Sequence, residues 1–154
     1  MIENLGATQD GFDTLGSSIS KKKKKKKKKK KAQFTHHLNT DLSDNEIQKL
    51  ENFPLLKRLR TLFLHNNHIS SVAPKLGESL PKLESLLLTN NRIETLVDLD
   101  PLAELASSLR FLSLVNNPVT KLSNYRLYVL HLLPHLKVLD FQKVKASVSA
   151  IPPV

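Results

Sequence analysis

A chain of 154 residues with no cysteine offers neither a disulfide framework nor a thiolate metal site, and none of its apolar runs reaches the roughly 18 residues of a membrane-spanning helix. The formal net charge of +10 points to polyanionic partners until it is located: eleven of the 24 basic side chains form the unbroken run Lys21–Lys31. The other 13 face 14 carboxylates, so the chain outside the run carries −1 and its basicity belongs to one segment rather than to a folded face.

Residues 1–15, "MIENLGATQDGFDTL", lack the basic region and apolar stretch of a secretory signal and read as the remnant of an N-terminal repeat. Residues 16–40 form a lysine-rich insert, predicted to be disordered because like charges at that density repel and stay solvated. Fraying is expected from Met1 to about Asp41.

From residue 41 to 145 the chain repeats itself. The strings "LRTLFLHNNHI" (Leu59–Ile69), "LESLLLTNNRI" (Leu83–Ile93) and "LRFLSLVNNPV" (Leu109–Val119) each fit L-x-x-L-x-L-x-x-N-x-I/V, and "DLSDNEI" (Asp41–Ile47) is a degenerate copy. The asparagines Asn45, Asn67, Asn91 and Asn117 step by 22, 24 and 26 residues, the period and consensus of a leucine-rich repeat. In each unit a short x-L-x-L-x strand turns its leucines inward. The following asparagine is expected to bond backbone groups at the turn, so that stacked repeats carry an asparagine ladder. Pro54, Pro81 and Pro101 in the connecting segments predict short helical or 3₁₀ turns on the convex side. In "NYRLYVLHLLPHLKVLDF" the spacing of Leu127, Leu130, Leu133, Leu136 and Leu139 predicts an apolar face, broken at Pro134, that caps the last repeat over about residues 120–145. Residues 146–154 are a tail. The fold expected is an α/β leucine-rich repeat solenoid with a curved parallel sheet, an irregular convex side and a C-terminal helical cap.

The insert interrupts this pattern. Leu15 should precede Leu42 by two positions, but Thr40 stands there, and His37 stands where another repeat leucine belongs. An in-frame insert inside a strand reads as a translated intron; a nuclear-import or phosphate-binding segment is the alternative.

The outward strand positions give the candidate site: Thr61, Phe63 and His65; Ser85, Leu87 and Thr89; Phe111, Ser113 and Val115. Phe63, Leu87, Phe111 and Val115 predict an apolar stripe without Lys or Arg, which suits a protein partner, such as a helix laid across the strands, better than RNA. The pairs His65/His68 and His131/His135 have spacings that suit metal ligands, but read as surface or cap histidines. Asp98, Asp100 and Glu104 read as turn and capping carboxylates, and no nucleophile elbow, phosphate loop or zinc signature is present, so no catalytic residue, metal or cofactor is expected. Tyr125 reads as a buried cap residue; Arg126 reads as an exposed cap residue that meets a partner or RNA, with a structural role in the cap as the alternative.

The strings "ENLGAT", "DNEI", "FPLL", "TNN", "DLDPLA", "NPVT", "YRLYV" and "VLDFQKVK" resemble the A-prime family of the U-two small nuclear ribonucleoprotein, over Ile2–Leu15 and Asp41–Lys145. In that family a further N-terminal cap and repeat precede the matching region, and a longer helical flank stands where this chain reads "ASVSAIPPV". The resemblance implies a nuclear, non-catalytic spliceosomal scaffold. Its concave face would hold the RNA-recognition-motif domain of the B-double-prime protein, and U-two small nuclear RNA would be met mainly through that partner, with no membrane and no small-molecule substrate involved. The site residues expected on this basis are Phe63, His65, Leu87, Thr89, Phe111, Ser113, Val115 and Arg126. The alternative is another nuclear leucine-rich interaction module, like the acidic nuclear phosphoproteins or phosphatase regulators.

Overall fold

Strands that recur once per repeat, each followed by its own return segment, must run parallel, because only a crossover brings the chain back to start the next one. The computed structural model describes residues 38–145. Residues 1–15 and 146–154, and the insert up to His37, lie outside the described residues, and with them the expectations of disorder and fraying there. Among the described residues six strands form one sheet in the order β1 (Asn39–Asp41), β3 (Thr61–Phe63), β5 (Ser85–Leu87), β6 (Phe111–Ser113), β7 (Val138–Leu139), β8 (Gln142–Lys143). All neighbours are parallel except β8, which folds back antiparallel on β7.

One inward column runs through this sheet: Thr40 pairs with Leu62, Leu62 with Leu86, Leu86 with Leu112, and Leu112 with Leu139. A second column, Leu42, Leu64, Leu88 and Leu114, is buried beside it. The start of the array differs from expectation. The sequence pattern begins the repeats at Asp41, yet Asn39 and Thr40 already belong to β1, and the Leu38 carbonyl accepts the N–H groups of Arg60 and Thr61 at 2.7 and 3.0 Å. A parallel ladder asks only for backbone groups, so residues assigned to the insert complete it. The side chain fits less well. Thr40 is 6 % exposed, and its hydroxyl is buried without a hydrogen-bond partner among the described residues. A buried orphan hydroxyl costs about 1–3 kcal/mol, so Thr40→Val, which keeps the shape, is expected to raise stability by about 1 kcal/mol. A lowered urea midpoint would contradict this.

The return segments are short, as the prolines predict. Strand β2 (Lys49–Leu50) pairs in parallel with β4 (Ser71–Val72), and α1 (Leu76–Ser79) is a single turn. A 3₁₀ segment, Val97–Leu105, carries Pro101 and buries Leu99, Leu102 and Leu105. Successive returns lock together through Glu104, whose carboxylate accepts the N–H groups of Lys75 at 2.7 Å and Gly77 at 3.0 Å. A Cβ on Gly77 would lie 2.7 Å from the Glu104 carbonyl oxygen, so this approach requires glycine.

The asparagines do what the motif asks. Each of Asn67, Asn91 and Asn117 donates to the carbonyl three residues back and to the carbonyl at the matching place in the previous repeat. Each also accepts a backbone N–H from that repeat, from Ile47, Ile69 and Ile93 in turn, at 2.9–3.1 Å. Among the described residues Asn45 is the first rung, and its side chain donates to the carbonyls of Leu42 and Ser43 within its own turn.

The cap departs from prediction in one respect. Helix α2 (Tyr125–Leu132) turns Tyr125, Val129 and Leu130 inward, with Leu133 and Leu136 buried behind Pro134, while Leu127 is 54 % exposed. The inward face therefore runs from Tyr125 to Val129 at a spacing of four residues, and Leu127 falls on the opposite side of a 3.6-residue turn.

Candidate functional site: the outward sheet face

Alternation places one residue in two on the outer face of the sheet, and the parallel register sorts them into rows. One row is Asn39, Thr61, Ser85, Phe111 and Val138; the next is Asp41, Phe63, Leu87 and Ser113. A third follows the backbone bonds from Asp44 to His65, from Asn66 to Thr89 and from Asn90 to Val115, and so contains Ser43, His65, Thr89 and Val115. The expected stripe is thus not straight. Phe63 and Leu87 are direct neighbours, and Phe111 is diagonal to Leu87, within reach of large side chains. Val115 lies beyond Ser113, off that oblique line.

Ser113 itself is not available to a partner. It is 0 % exposed, and its hydroxyl shares a 2.8 Å hydrogen bond with that of Thr89. Thr89 remains part-exposed beside it, and His65 is oriented from both sides, by the Ser43 hydroxyl at 2.9 Å from Nδ1 and by the edge of Phe63 at 6.4 Å between ring centres. The Ser43 side chain and N–H also hydrogen-bond Asp41, holding its carboxyl below the usual carboxylate range. Arg126 does not join the face. It sits on α2, in the connection between β6 and β7, which packs on the return segments.

Two features of the face were not read from the sequence. The first is a second ladder along its rim. Asp44, Asn66, Asn90 and Asn116 all take left-handed backbone, with φ between 55° and 59°. Their side chains bond in series, Asn66 to Asp44, Asn90 to Asn66 and Asn116 to Asn90, each at 2.7 Å. The doubled asparagines in "HNNH", "TNNR" and "VNNP" carry the signal: the second is buried, while the first tolerates the left-handed turn.

The second is Phe141. Asp140 and Phe141 form the two-residue turn between β7 and β8, and Phe141 is 62 % exposed with its ring edge-on to Phe111 at 5.6 Å. Asp140 closes the sheet: Oδ1 accepts Leu114 N–H at 2.6 Å, where inner strands use the carbonyl of the next repeat, and Oδ2 accepts the Tyr125 hydroxyl at 2.7 Å. Burial, with the Asp140 charge and hydrogen bond, pushes the Tyr125 phenol far above its ordinary value. A raised phenol pKa means that the folded state keeps a proton which the unfolded chain releases above about pH 10. This contribution is whole below that pH and is lost above it, at about 1.4 kcal/mol per pH unit. Unfolding midpoints from pH 8 to 11 are expected to fall more steeply for the wild type than for Tyr125→Phe. Parallel curves would contradict it.

The three carboxylates singled out on the return segments are committed to structure. Asp98 and Thr95 exchange hydrogen bonds, Asp100 accepts the Tyr128 hydroxyl, and Glu104 is engaged as described. Among the described residues no group of three His, Cys, Asp or Glu side chains is placed to hold a metal ion, and no helix is long and apolar enough to cross a membrane.

A leucine-rich repeat family model matches residues 31–150. The chain is 52 % identical over 147 residues to U2 small nuclear ribonucleoprotein A' of Arabidopsis thaliana, covering 96 % of this chain and 49 % of the relative. It is 47 % identical over 145 residues to the Homo sapiens protein of that name, covering 94 % and 47 %. It thus spans about half the length of these relatives. A chain in the crystal structure of the Drosophila melanogaster SNF/U2A' complex superposes with a TM-score of 0.75 at 36 % identity, covering 87 % of this chain and 71 % of that one.

Proposed function

The chain belongs to the leucine-rich repeat family, among the U2 small nuclear ribonucleoprotein A' proteins, and we propose that it is a scaffold of that particle. Its outward sheet face, the concave side of the solenoid, holds an RNA-recognition-motif protein of the B-double-prime type, the role we assign to SNF in the Drosophila complex. The small nuclear RNA hairpin is met mainly through that partner, in the nucleus. The named relatives are ribonucleoprotein components rather than enzymes, and this reading asks for no catalytic group.

The observation that carries the reading is the oblique apolar line Phe63, Leu87, Phe111 on rows that hold no Lys or Arg from β1 to β7. Solvent-facing aromatics in a setting without basic side chains suit the core of a protein interface better than a phosphate backbone. The test is binding of purified SNF with and without hairpin RNA, at salt high enough to weaken polyanion contacts of Lys21–Lys31. Phe63→Ala with Leu87→Ala is expected to weaken SNF binding about 30-fold or more, the effect of losing a buried anchor. Unchanged affinity in that double variant would sink the assignment of the face. Binding that needs the RNA and vanishes in high salt would point to the lysine run instead.

A further inference from the structure

We propose that Phe141 is an anchor at the far end of the docking face, seated against one helix of the RNA-recognition-motif partner; this rests on the reading above. The turn that carries it has both central residues in left-handed backbone, φ 51° at Asp140 and 62° at Phe141. A two-residue hairpin of this kind favours Asn or Asp first and Gly second. Asp140 meets the first preference and has a structural task. Phe141 violates the second, placing a bulky side chain where glycine is relaxed.

Nothing in the fold of the described residues calls for that ring. It is 62 % exposed, and its aromatic neighbour, Phe111, is itself a residue of the outward face. Strain retained at an exposed position points to a use outside the chain. What the ring does is extend the line Phe63, Leu87, Phe111 past the last parallel strand.

The geometry also says what lies there. From β1 to β7 the face spans four strand spacings, about 19 Å, the length of about 13 residues of helix. Its two ends differ in charge. Asp41, Asp44 and Glu46 are exposed at the β1 end, and Lys137, Lys143 and Lys145 at the hairpin end. A helix laid across the strands is matched when its C-terminal end, the negative pole of its dipole, lies over Phe141 and the lysines, and its N-terminal, positive end over Asp41.

The experiment measures SNF affinity and urea midpoint on the full chain. Phe141→Gly relaxes the turn and removes the ring, so it is expected to raise the midpoint while weakening SNF binding at least tenfold. Phe141→Ala is expected to weaken binding as much without that gain, and Phe141→Tyr to bind like the wild type. Lys143→Glu is expected to weaken binding severalfold. If the wild type binds SNF and Phe141→Gly binds equally well, the inference falls while the assignment of the face survives. A lowered midpoint in Phe141→Gly would make the ring a structural support and also overturn it. Tighter binding by Lys143→Glu overturns the orientation of the helix. A wild-type chain that does not bind SNF overturns both readings.

Discussion

Asn91→Ala is expected to lower the free energy of unfolding by about 3–4 kcal/mol. The side chain makes four bonds at the centre of the ladder: to the carbonyls of Leu64 and Leu88 at 2.9 Å, to that of Thr89 at 3.3 Å, and from the N–H of Ile69 at 2.9 Å. They are not equal. The Leu64 carbonyl also receives Asn67 and the Leu88 carbonyl also receives Asn117, so each keeps a partner. The Ile69 N–H is left alone in the interior, and that orphan dominates the loss. Asn45→Ala removes two bonds within its own turn at a part-exposed position and is expected to cost about 1 kcal/mol or less. Chemical denaturation of the two variants checks the contrast, and equal losses would mean that the ladder is not the source of the effect.

Leu112→Ala is the second large effect, expected at about 2–5 kcal/mol. Leu112 is 0 % exposed and stands between Leu86 and Leu139 in the central column. Each repeat buries its interior only against its neighbours, so a cavity there loosens two repeat interfaces at once. Leu127→Ala, on the helix that caps the same end, is expected to change stability by no more than about 0.5 kcal/mol, because that leucine faces outward. From spacing alone both leucines looked like core residues. Thermal and urea unfolding of the pair distinguish a column position from an exposed one.

The difference between those leucines shows where reading residues in order stops working. The strand columns were legible because a strand has a period of two and the repeat supplies three full copies of it. Leu62, Leu86 and Leu112 can only point one way if the array is to bury anything. Asn67, Asn91 and Asn117 were legible for the same reason, since only a side chain that both donates and accepts can complete those turns. The short returns followed from Pro101 and its counterparts.

Spatial neighbours decided the rest. The helix face slipped from Leu127 to Val129 because Tyr125 is held by Asp140, fifteen residues on. Ser113 obeys the outward alternation, yet it is buried and paired with Thr89 in the adjacent repeat. The apolar stripe became an oblique line because the parallel register, not the motif, sets which outward side chains share a row. Phe141 carried no periodic signal, and only the fold-back of β8 sets its ring beside Phe111. Local period is a property of a backbone and its alternating side chains, so it can be read along one chain. Exposure, rows and the ends of a stack are properties of pairs of segments, and they exist only once those segments are packed.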